Sequence, residues 1–197
     1  YLKRLTVGGF EKVYEINRNF RNEGISSEHN PEFTMLEFYQ AYSDYYDMMD
    51  MTEELINSLC LALLGKEEIL FGEDTLSFKR PWKRLRYKEA VVSLSGLAPA
   101  RFESPADIIA FASTLAPDQV IHYYGKALDV IFDKLVKPKI MQPTFVMNHP
   151  KEISPLAKPS RDNPEEAERF ELVVAGMEVA NAFSELADPE DQRKRLE

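Results

Sequence analysis

The first cluster of residues that could do chemistry lies near the start of the chain, where Arg21, Phe33, Glu37 and Tyr39 follow one another at short spacings. The guanidinium of an arginine can hold a carboxylate or a phosphate through two parallel hydrogen bonds. An aromatic ring can stack on a base, and carboxylate and phenol oxygens can accept hydrogen bonds from an ammonium. These residue types predict a binding surface, although an ordinary solvated sheet face, with Arg21 paired to a neighbouring glutamate, has the same pattern.

A second cluster lies near the end of the chain, where Glu171 and Glu178 flank a tight turn at Gly176. Across such a turn the two carboxylates can approach each other. Two converging carboxylates without a cysteine or histidine cluster suit a hard, oxygen-preferring ion, above all Mg²⁺ with a phosphate substrate. The alternative is a pair of exposed strand glutamates.

Three further residues follow this turn: Asn181, Phe183 and Glu185. Strict alternation along a strand places them on one face and Glu178 on the other. A bulge or a strong twist near Val179 is therefore needed to bring the four side chains together.

Period-two alternation at both ends of the chain predicts the strands that position these clusters. Residues 13–22 and 32–42 alternate between apolar and polar side chains, so we expect an antiparallel hairpin whose apolar face is half-buried. Residues 170–186 predict a second strand pair, and residues 142–147 predict a buried strand.

Apolar residues at every third or fourth position predict helices in the middle of the chain. One covers residues 47–64 and ends at Gly65, another begins after the cap residue Ser104, and a third apolar stripe covers residues 121–135. Residues 69–78 predict a short hairpin. Strands at both ends with helices between them indicate an α+β fold with a mainly antiparallel sheet.

Composition limits the class of protein. The 197 residues carry a formal net charge of −9, so their bulk charge does not attract nucleic acid. No apolar run of about 18 residues occurs, so no membrane partner is expected. The single cysteine, Cys60, excludes an internal disulfide and favours a reducing cytoplasm. The three histidines are too scattered in sequence to propose a zinc site.

Three blocks of sequence resemble the lysyl form of the class II aminoacyl-tRNA synthetases. The first reads FRNEG at residues 20–24 and HNPEFTMLEFYQAY at 29–42, and it resembles motif 2 of that class. The second reads PTF at 143–145 and ISPLAK at 153–158, and the third runs from RFE to NAFSEL within residues 169–186. The blocks stand in the family's order and cover nearly the whole chain.

This resemblance implies a fold and a reaction. The fold would be an antiparallel sheet flanked by helices, in a parent protein that forms a homodimer. In the reaction, the carboxylate of lysine would attack the α-phosphate of ATP, giving lysyl-adenylate and pyrophosphate. The lysyl group would then pass to the terminal ribose of tRNA(Lys). The implied activity is that of a lysine-tRNA ligase that uses Mg²⁺.

Matched position by position, five residues would bind ATP. Arg21 would be the catalytic residue, because it would bind both the α-phosphate and the lysine carboxylate and neutralise charge at the reacting centre. Phe33 would stack on adenine, and Glu23 would contact the adenine edge. His29 and Asn30 would belong to the loop that covers ATP.

The same matching assigns a metal site and a lysine pocket. Glu171 and Glu178 would hold Mg²⁺ on the phosphates, and Glu37 would take the α-amino group of lysine. The ε-ammonium would occupy a pocket of four residues, with Tyr39 and Glu185 as acceptors and Asn181 and Phe183 as its lining. Carboxylates at these positions suit a cationic side chain.

The resemblance also implies that residues 1–197 form one partial catalytic domain. It would contain the motif 2 region at 13–42, a helical insertion at about 84–140 and the metal- and lysine-binding strand pair at about 168–186. Motif 1, the glycine-rich motif 3 with its ATP-binding arginine, and the N-terminal barrel that reads the anticodon would lie outside it. Alone, this piece is therefore expected to be weakly active or inactive.

Two other functions fit the same residues. One is a paralogue of the lysyl enzyme that keeps the adenylate chemistry and attaches a lysine-type group to a protein. The other is a non-catalytic, synthetase-like domain that binds a partner or regulates.

Overall fold

Two compact units make up the chain in the computed structural model, which describes residues 1–26 and 29–197. The first unit is Tyr1–Ser43 and the second is Asp44–Glu197. The loop expected between the first two strands includes residues 27 and 28, which lie outside the described residues.

A hairpin preceded by a short helix forms the first unit. Helix α1 (Leu2–Val7) leads into β1 (Lys12–Phe20), which pairs antiparallel with β2 (Glu32–Gln40). The predicted hairpin is confirmed. Helix α1 was not predicted, because its six residues are too few to show a helical period.

The two faces of this hairpin differ in character, as the alternation predicts. Glu15 lies opposite Glu37, so acidic side chains meet on one face. The apolar face is not half-buried, contrary to expectation, since the exposed fractions of Tyr14, Ile16 and Phe20 are 74%, 68% and 72%. The reason is that a two-stranded sheet has no second layer of its own, so the first unit leaves this face open.

A long helix and a small hairpin begin the second unit. Helix α2 (Tyr45–Leu64) starts at a capping box in which the side chains of Asp44 and Asp47 accept from each other's backbone N–H groups. It ends at Gly65, whose left-handed φ of 67° suits a helix C-cap. The hairpin that follows has two strands, β3 (Glu68–Phe71) and β4 (Asp74–Ser77). Both elements confirm the sequence analysis.

A four-stranded sheet is the centre of the second unit. Its strands stand in the order β5 (Lys83–Arg86), β6 (Thr144–Met147), β7 (Arg169–Val174) and β8 (Met177–Phe183). Strands β5 and β6 are parallel, and the other neighbouring pairs are antiparallel. The sheet is therefore mainly antiparallel, as predicted. Strand β5 was missed because its sequence, KRLR, has no apolar alternation.

Helices occupy the chain between β5 and β6, and one more follows β8. The α-helices are α3 (Tyr87–Leu94), α4 (Pro105–Leu115), α5 (Tyr124–Ile131) and α6 (Pro189–Leu196). Shorter 3₁₀ or π turns cover Pro99–Glu103, Phe132–Val136, Lys137–Lys139 and Lys151–Ile153. The predicted α+β class is confirmed. Among the described residues, no helix is both long and apolar enough to cross a membrane.

The core of the second unit lies between these helices and the sheet. Tyr87 of α3, Ile108 of α4 and Ile131 of α5 are buried in it. Val146 of β6 and Val173 of β7 belong to the same cluster. Burial of apolar side chains from both layers therefore fixes the central strands, and Glu171 lies on the same face of β7 as Val173.

A bulge in β8 changes the direction of the side chains along this strand. Leu172 of β7 pairs with Ala180. The next residue, Val173, pairs with Glu178, so Val179 is left over as the extra residue of the bulge. The irregularity expected near Val179 is confirmed, and strict alternation between Glu178 and the residues after it is broken.

The turn between β7 and β8 depends on Gly176. Its φ is +74°, and an added Cβ would lie 3.2 Å from the Cα of Pro138. Gly72, in the turn between β3 and β4, has a similar φ of +63°, but no atom lies within 4 Å of an added Cβ. An alanine would strain the backbone at both positions but would meet a close contact at Gly176 alone.

We predict that Gly176→Ala lowers the free energy of unfolding by about 2–3 kcal/mol and Gly72→Ala by about 1 kcal/mol. Both variants place an alanine in the left-handed region, which destabilises the fold. The contact with Pro138 adds a further loss of stability in Gly176→Ala. Denaturant unfolding of the two variants beside the unsubstituted chain measures the difference. Equal losses would show that this contact costs nothing.

Candidate active site

A cavity of about 700 Å³ lies on the polar face of the hairpin in the first unit. Glu37 and Tyr39, both predicted for the lysine pocket, line it, and the Tyr39 hydroxyl donates to Glu37 Oε1 at 3.5 Å. The other lining residues come from β1 and from the start of the chain: Glu15, Asn17, Asn19 and residues 1–4. The structure therefore brings two of the predicted residues into one polar cavity.

Glu15 is a lining residue that the sequence analysis did not select. It lies directly opposite Glu37 in the strand register. Like charges that face each other across a sheet repel, so a cationic group between them would be stabilised. The Lys3 ammonium already lies 5.9 Å from the centre of the Tyr39 ring. The signal in the sequence was the even spacing of Glu15 from Arg21 along the polar face.

Arg21 and Phe33 form a second group on this hairpin. The guanidinium carbon of Arg21 lies 5.2 Å from the centre of the Phe33 ring. Its Nη1 lies 3.8 Å from Glu23 Oε1, with both side chains substantially exposed. Such an exposed pair contributes little to stability, so the guanidinium keeps most of its capacity for an anionic ligand. The pairing of Arg21 with a neighbouring glutamate, the plainer alternative in the sequence, is also observed.

The segment between the two strands carries His29 and Asn30. The Ser26 hydroxyl lies 2.9 Å from His29 Nδ1 and accepts from the His29 backbone N–H at 3.1 Å. The Ser26 N–H donates to the His29 carbonyl at 3.0 Å. These bonds hold His29 at the tip of the hairpin, and Asn30 beside it is exposed.

Arg169 joins the side chains of the predicted metal site in the second unit. Its Nη2 donates to Glu171 Oε1 at 2.6 Å, and its Nε donates to Asn181 Oδ1 at 3.2 Å. The amide nitrogen of Asn181 in turn donates to Glu178 Oε1 at 3.2 Å. The structure therefore brings Glu171, Glu178 and Asn181 into one cluster. The sequence analysis quoted Arg169 within a motif but gave it no role.

The two carboxyl groups of this cluster have opposite pKa shifts. Burial acts to raise the pKa of Glu171, but the neighbouring His149 and Arg169 outweigh it and hold that pKa below its ordinary value. Loss of solvation beside the strands, followed by the negative charge of Glu171, raises the pKa of Glu178, although its side chain stays accessible to solvent. The charges of Glu171 and Glu178 therefore interact, as expected for two carboxylates that lie close together.

His149 is a buried neighbour of this cluster that the sequence analysis set aside as isolated. Its Nε2 lies 3.5 Å from Glu171 Oε1, and its ring packs against Tyr87 at 4.6 Å between centroids. Neither ring nitrogen has a hydrogen-bond partner within the described part of the chain. Burial lowers the pKa of His149, and the neighbouring Glu171 acts in the opposite direction.

The donor atoms of the cluster fit a hard cation such as Mg²⁺. Arg169 and His149 both approach Oε1 of Glu171. Groups of three or more acidic, histidine or cysteine ligands do not occur in residues 1–26 and 29–197. Mg²⁺ is commonly held by one or two carboxylates together with substrate phosphates, and Glu171 and Glu178 fit that mode.

The segment after β8 contains Glu185 and is attached to residues 154–158. The Lys158 N–H donates to the Ser184 carbonyl at 2.8 Å, and the Leu186 N–H donates to the Leu156 carbonyl at 3.0 Å. Glu185 itself forms an antiparallel bridge with Ala157. The second block quoted above thus serves as the backbone support of the predicted lysine-binding residues.

Helix α6 holds this support in place through Arg195. Its Nη1 donates to the carbonyls of Ala157 at 2.8 Å and Ser154 at 3.4 Å. Two further bonds, at 3.1 and 2.5 Å, join the guanidinium to the Asp191 carboxylate. The Arg195 side chain is only 9% exposed, so it links α6 to the segment that pairs with residues 184–186.

The comparison with known families decides what kind of protein carries this geometry. The family model described as tRNA synthetases class II (D, K and N) matches residues 1–197. The chain belongs to this family of class II tRNA synthetases. The family resemblance inferred from the three sequence blocks is confirmed, and the mainly antiparallel α+β fold agrees with it.

Several curated relatives of this synthetase chain bear the name lysine–tRNA ligase. The protein from Carboxydothermus hydrogenoformans is 52% identical over 197 residues, which are 100% of this chain and 40% of the relative. Those from Psychrobacter cryohalolentis and Actinobacillus pleuropneumoniae serotype 5b are 50% and 46% identical over 199 residues, covering 39% and 40% of the relatives. The chain therefore spans about 40% of the length of the curated relatives it matches.

We predict that Arg195→Ala loosens residues 154–158 and 184–186 of this synthetase chain without unfolding it. Removing the guanidinium frees residues 154–158 from α6, so the amides of Lys158 and Leu186 should exchange with solvent about tenfold faster or more, as local opening becomes easier. Hydrogen exchange read by mass spectrometry measures this. Arg193→Ala, at an exposed position of the same helix, is the control, and equal effects in both variants would contradict the role of Arg195.

The same contact should be sensitive to acid. The hydrogen bond to Arg195, aided by its charge, lowers the pKa of Asp191. A carboxyl whose pKa is depressed by folding stabilises the fold above its unfolded pKa, near 3.9, and loses that contribution as the pH falls through the folded value. We predict that the protection of the Leu186 amide, which is its intrinsic exchange rate divided by the observed rate at the same pH, falls below about pH 4 in the unsubstituted chain. Asp191→Asn should show the faster exchange already at pH 7, and a pH-independent rate ratio would contradict this.

Proposed function

We propose that this chain is the lysine- and ATP-binding part of a lysine-tRNA ligase, which activates lysine with ATP and transfers it to tRNA(Lys). The observation that carries the proposal is the 52% identity of the whole chain to a protein named lysine–tRNA ligase. The carboxylates of Glu15 and Glu37 in the cavity of the first unit and the paired carboxylates of the second unit support it, because a cationic amino acid and a metal-bound triphosphate need such groups.

Lysine recognition in the first unit rests on the cavity that Glu15 and Glu37 line on the polar face of the hairpin. We propose that Glu37 takes the α-amino group and that Tyr39 accepts from the ε-ammonium. Glu15, opposite Glu37, adds negative charge to the same cavity. In the second unit, Glu185 is proposed to accept from the ε-ammonium, with Asn181 and Phe183 beside the pocket.

ATP recognition rests on the other groups of the hairpin. Arg21 neutralises negative charge on the lysine carboxylate and the α-phosphate as they approach each other, which lowers the electrostatic cost of the attack. Phe33 stacks on adenine, and Glu23 contacts its edge. His29 and Asn30 belong to the segment that covers the nucleotide. The ring of Phe33 already carries the Arg21 guanidinium on one side, which supports a role in stacking.

Glu171 and Glu178 are proposed to hold Mg²⁺. When bound, the ion neutralises charge on the phosphates and aligns them. Arg169 holds Oε1 of Glu171, and Glu178 is accessible to solvent. Catalysis in this proposal comes from positioning and charge neutralisation, without a covalent intermediate on the protein.

The whole protein is proposed to act as a homodimer in a reducing cytoplasm. The free thiol of Cys60 is buried, which agrees with a compartment where thiols stay reduced. Incubating the whole protein with ATP, lysine and transcribed tRNA(Lys) tests the ligase activity. Lysylation of a protein in place of tRNA would favour the paralogue, and failure to form any lysyl-adenylate would favour a non-catalytic domain.

We predict that Glu185→Gln raises the KM for lysine about tenfold to a hundredfold, because a hydrogen bond to a charged partner contributes about 1.5–3 kcal/mol. The KM for ATP should stay within about twofold, since the substitution keeps the shape of the side chain. Lysine-dependent pyrophosphate exchange by the whole protein measures both constants.

Glu54→Gln provides the matched control, because Glu54 is an exposed glutamate of α2. It should leave both constants unchanged. An unchanged lysine KM in Glu185→Gln would remove Glu185 from the proposed pocket.

A further inference from the structure

Arg169 makes four hydrogen bonds to three different parts of the second unit. Two reach the cluster described above, on Glu171 and Asn181. The other two run from Nη1 to the Ile153 carbonyl at 3.0 Å and to the Ser154 hydroxyl at 3.3 Å. The side chain is 18% exposed. A guanidinium with this many partners is fixed in one orientation and fixes its partners in return.

The contact with Glu171 selects one of its two oxygens. Arg169 holds Oε1, so the carboxylate cannot rotate without losing a charge-assisted bond of 2.6 Å. The rotation of the carboxyl group is thereby restricted. A metal ligand gains affinity when its orientation is fixed in advance by a neighbouring hydrogen bond.

The contact with Asn181 has a similar consequence for Glu178. An amide has one acceptor oxygen and one donor nitrogen. Because Arg169 occupies Oδ1 of Asn181, the amide nitrogen is turned to Glu178, to which it donates at 3.2 Å. One guanidinium thus orients both carboxylates, the first directly and the second through an amide.

We propose that Arg169 is a positioning residue that orients Glu171 and Glu178 for the metal ion and Asn181 for lysine. This inference rests on the proposed function, since it assumes that the two glutamates hold a divalent cation. Arg169 also ties residues 153 and 154 to the cluster. The support segment and the metal site therefore share one anchor.

Charge and orientation make opposite predictions for this residue. A positive group 2.6 Å from Glu171 repels a cation, so a purely electrostatic role predicts tighter metal binding when Arg169 is removed. A positioning role predicts weaker binding, because both carboxylates lose their fixed orientation. Outer-shell partners of metal ligands typically affect affinity by about tenfold to a hundredfold, which exceeds the effect of one partly solvated charge.

The experiment compares Arg169→Gln and Arg169→Lys with the unsubstituted whole protein. Mn²⁺ replaces Mg²⁺ as the probe, and its free concentration is followed by electron paramagnetic resonance in the presence of a non-hydrolysable ATP analogue. We expect the Mn²⁺ affinity of Arg169→Gln to fall about tenfold. Arg169→Lys keeps the charge but lacks the planar fork, so it should show most of the same loss. The lysine KM should rise in both variants, and the ATP KM measured without lysine should change less.

Arg161→Gln is the matched control. Its guanidinium also binds a buried glutamate of the same unit, with Nε 3.0 Å from Glu168 Oε1, and Nη2 lies 2.9 Å from Asp44 Oδ2. Both of these carboxylates lie outside the metal cluster. The control should keep the Mn²⁺ affinity while losing a comparable amount of stability. If Arg169→Gln does not fold, Arg169→Lys carries the comparison.

The outcomes separate this inference from the proposed function. Mn²⁺ binding by the unsubstituted protein, with equal or tighter binding by folded Arg169 variants, would overturn the positioning role and leave the function intact. Full recovery in Arg169→Lys would also overturn it, because charge alone would then suffice. Absence of Mn²⁺ binding in the unsubstituted protein would overturn both.

Discussion

The pairing of β7 with β8, interrupted by one extra residue at Val179, is the constraint on which the second half of this synthetase chain depends. The bulge turns Glu178 out of the regular alternation, so Glu178 and Asn181 can both approach Glu171. The buried face of β7 anchors the pair to the helices through Val173. Arg169 and Glu171 lie four and two residues before Val173 on this strand and so share its face, which means that the same packing also fixes their geometry.

Two arginines fix the segments around this strand pair. Arg169 joins the carboxylate cluster to the support segment, and Arg195 joins the same segment to α6. Both side chains are largely shielded from solvent, and both bind backbone carbonyls as well as a carboxylate. Bonds of this kind are stronger in a dry environment than on an open surface. Residues 153–158 are thus held from two sides, which keeps Glu185 on a defined backbone.

The first unit solves a different physical problem. Its two-stranded sheet places Glu15 and Glu37 face to face, and like charges in such positions repel. The same cavity contains the basic residues Lys3 and Arg4, whose positive charges reduce this repulsion. The opposite, apolar face remains open in this unit. The polar side chains of this strand pair that line the cavity therefore all lie on one face of the hairpin.

Residue types and spacing were enough to determine the two strand pairs, the helix ending at Gly65 and the family. These features follow from the local periodicity of apolar residues, from the ability of glycine to adopt a left-handed φ, and from three sequence blocks that stand in the family's order. Tertiary structure alone decided that Glu15 faces Glu37, that Arg169 reaches both Glu171 and Asn181, and that His149 is buried beside them. These contacts join residues far apart in sequence or depend on strand register, and a single sequence records neither. Strand β5 was not predicted for a related reason. It is a strand because it pairs with β6, and its charged side chains do not show the alternation that predicts a strand.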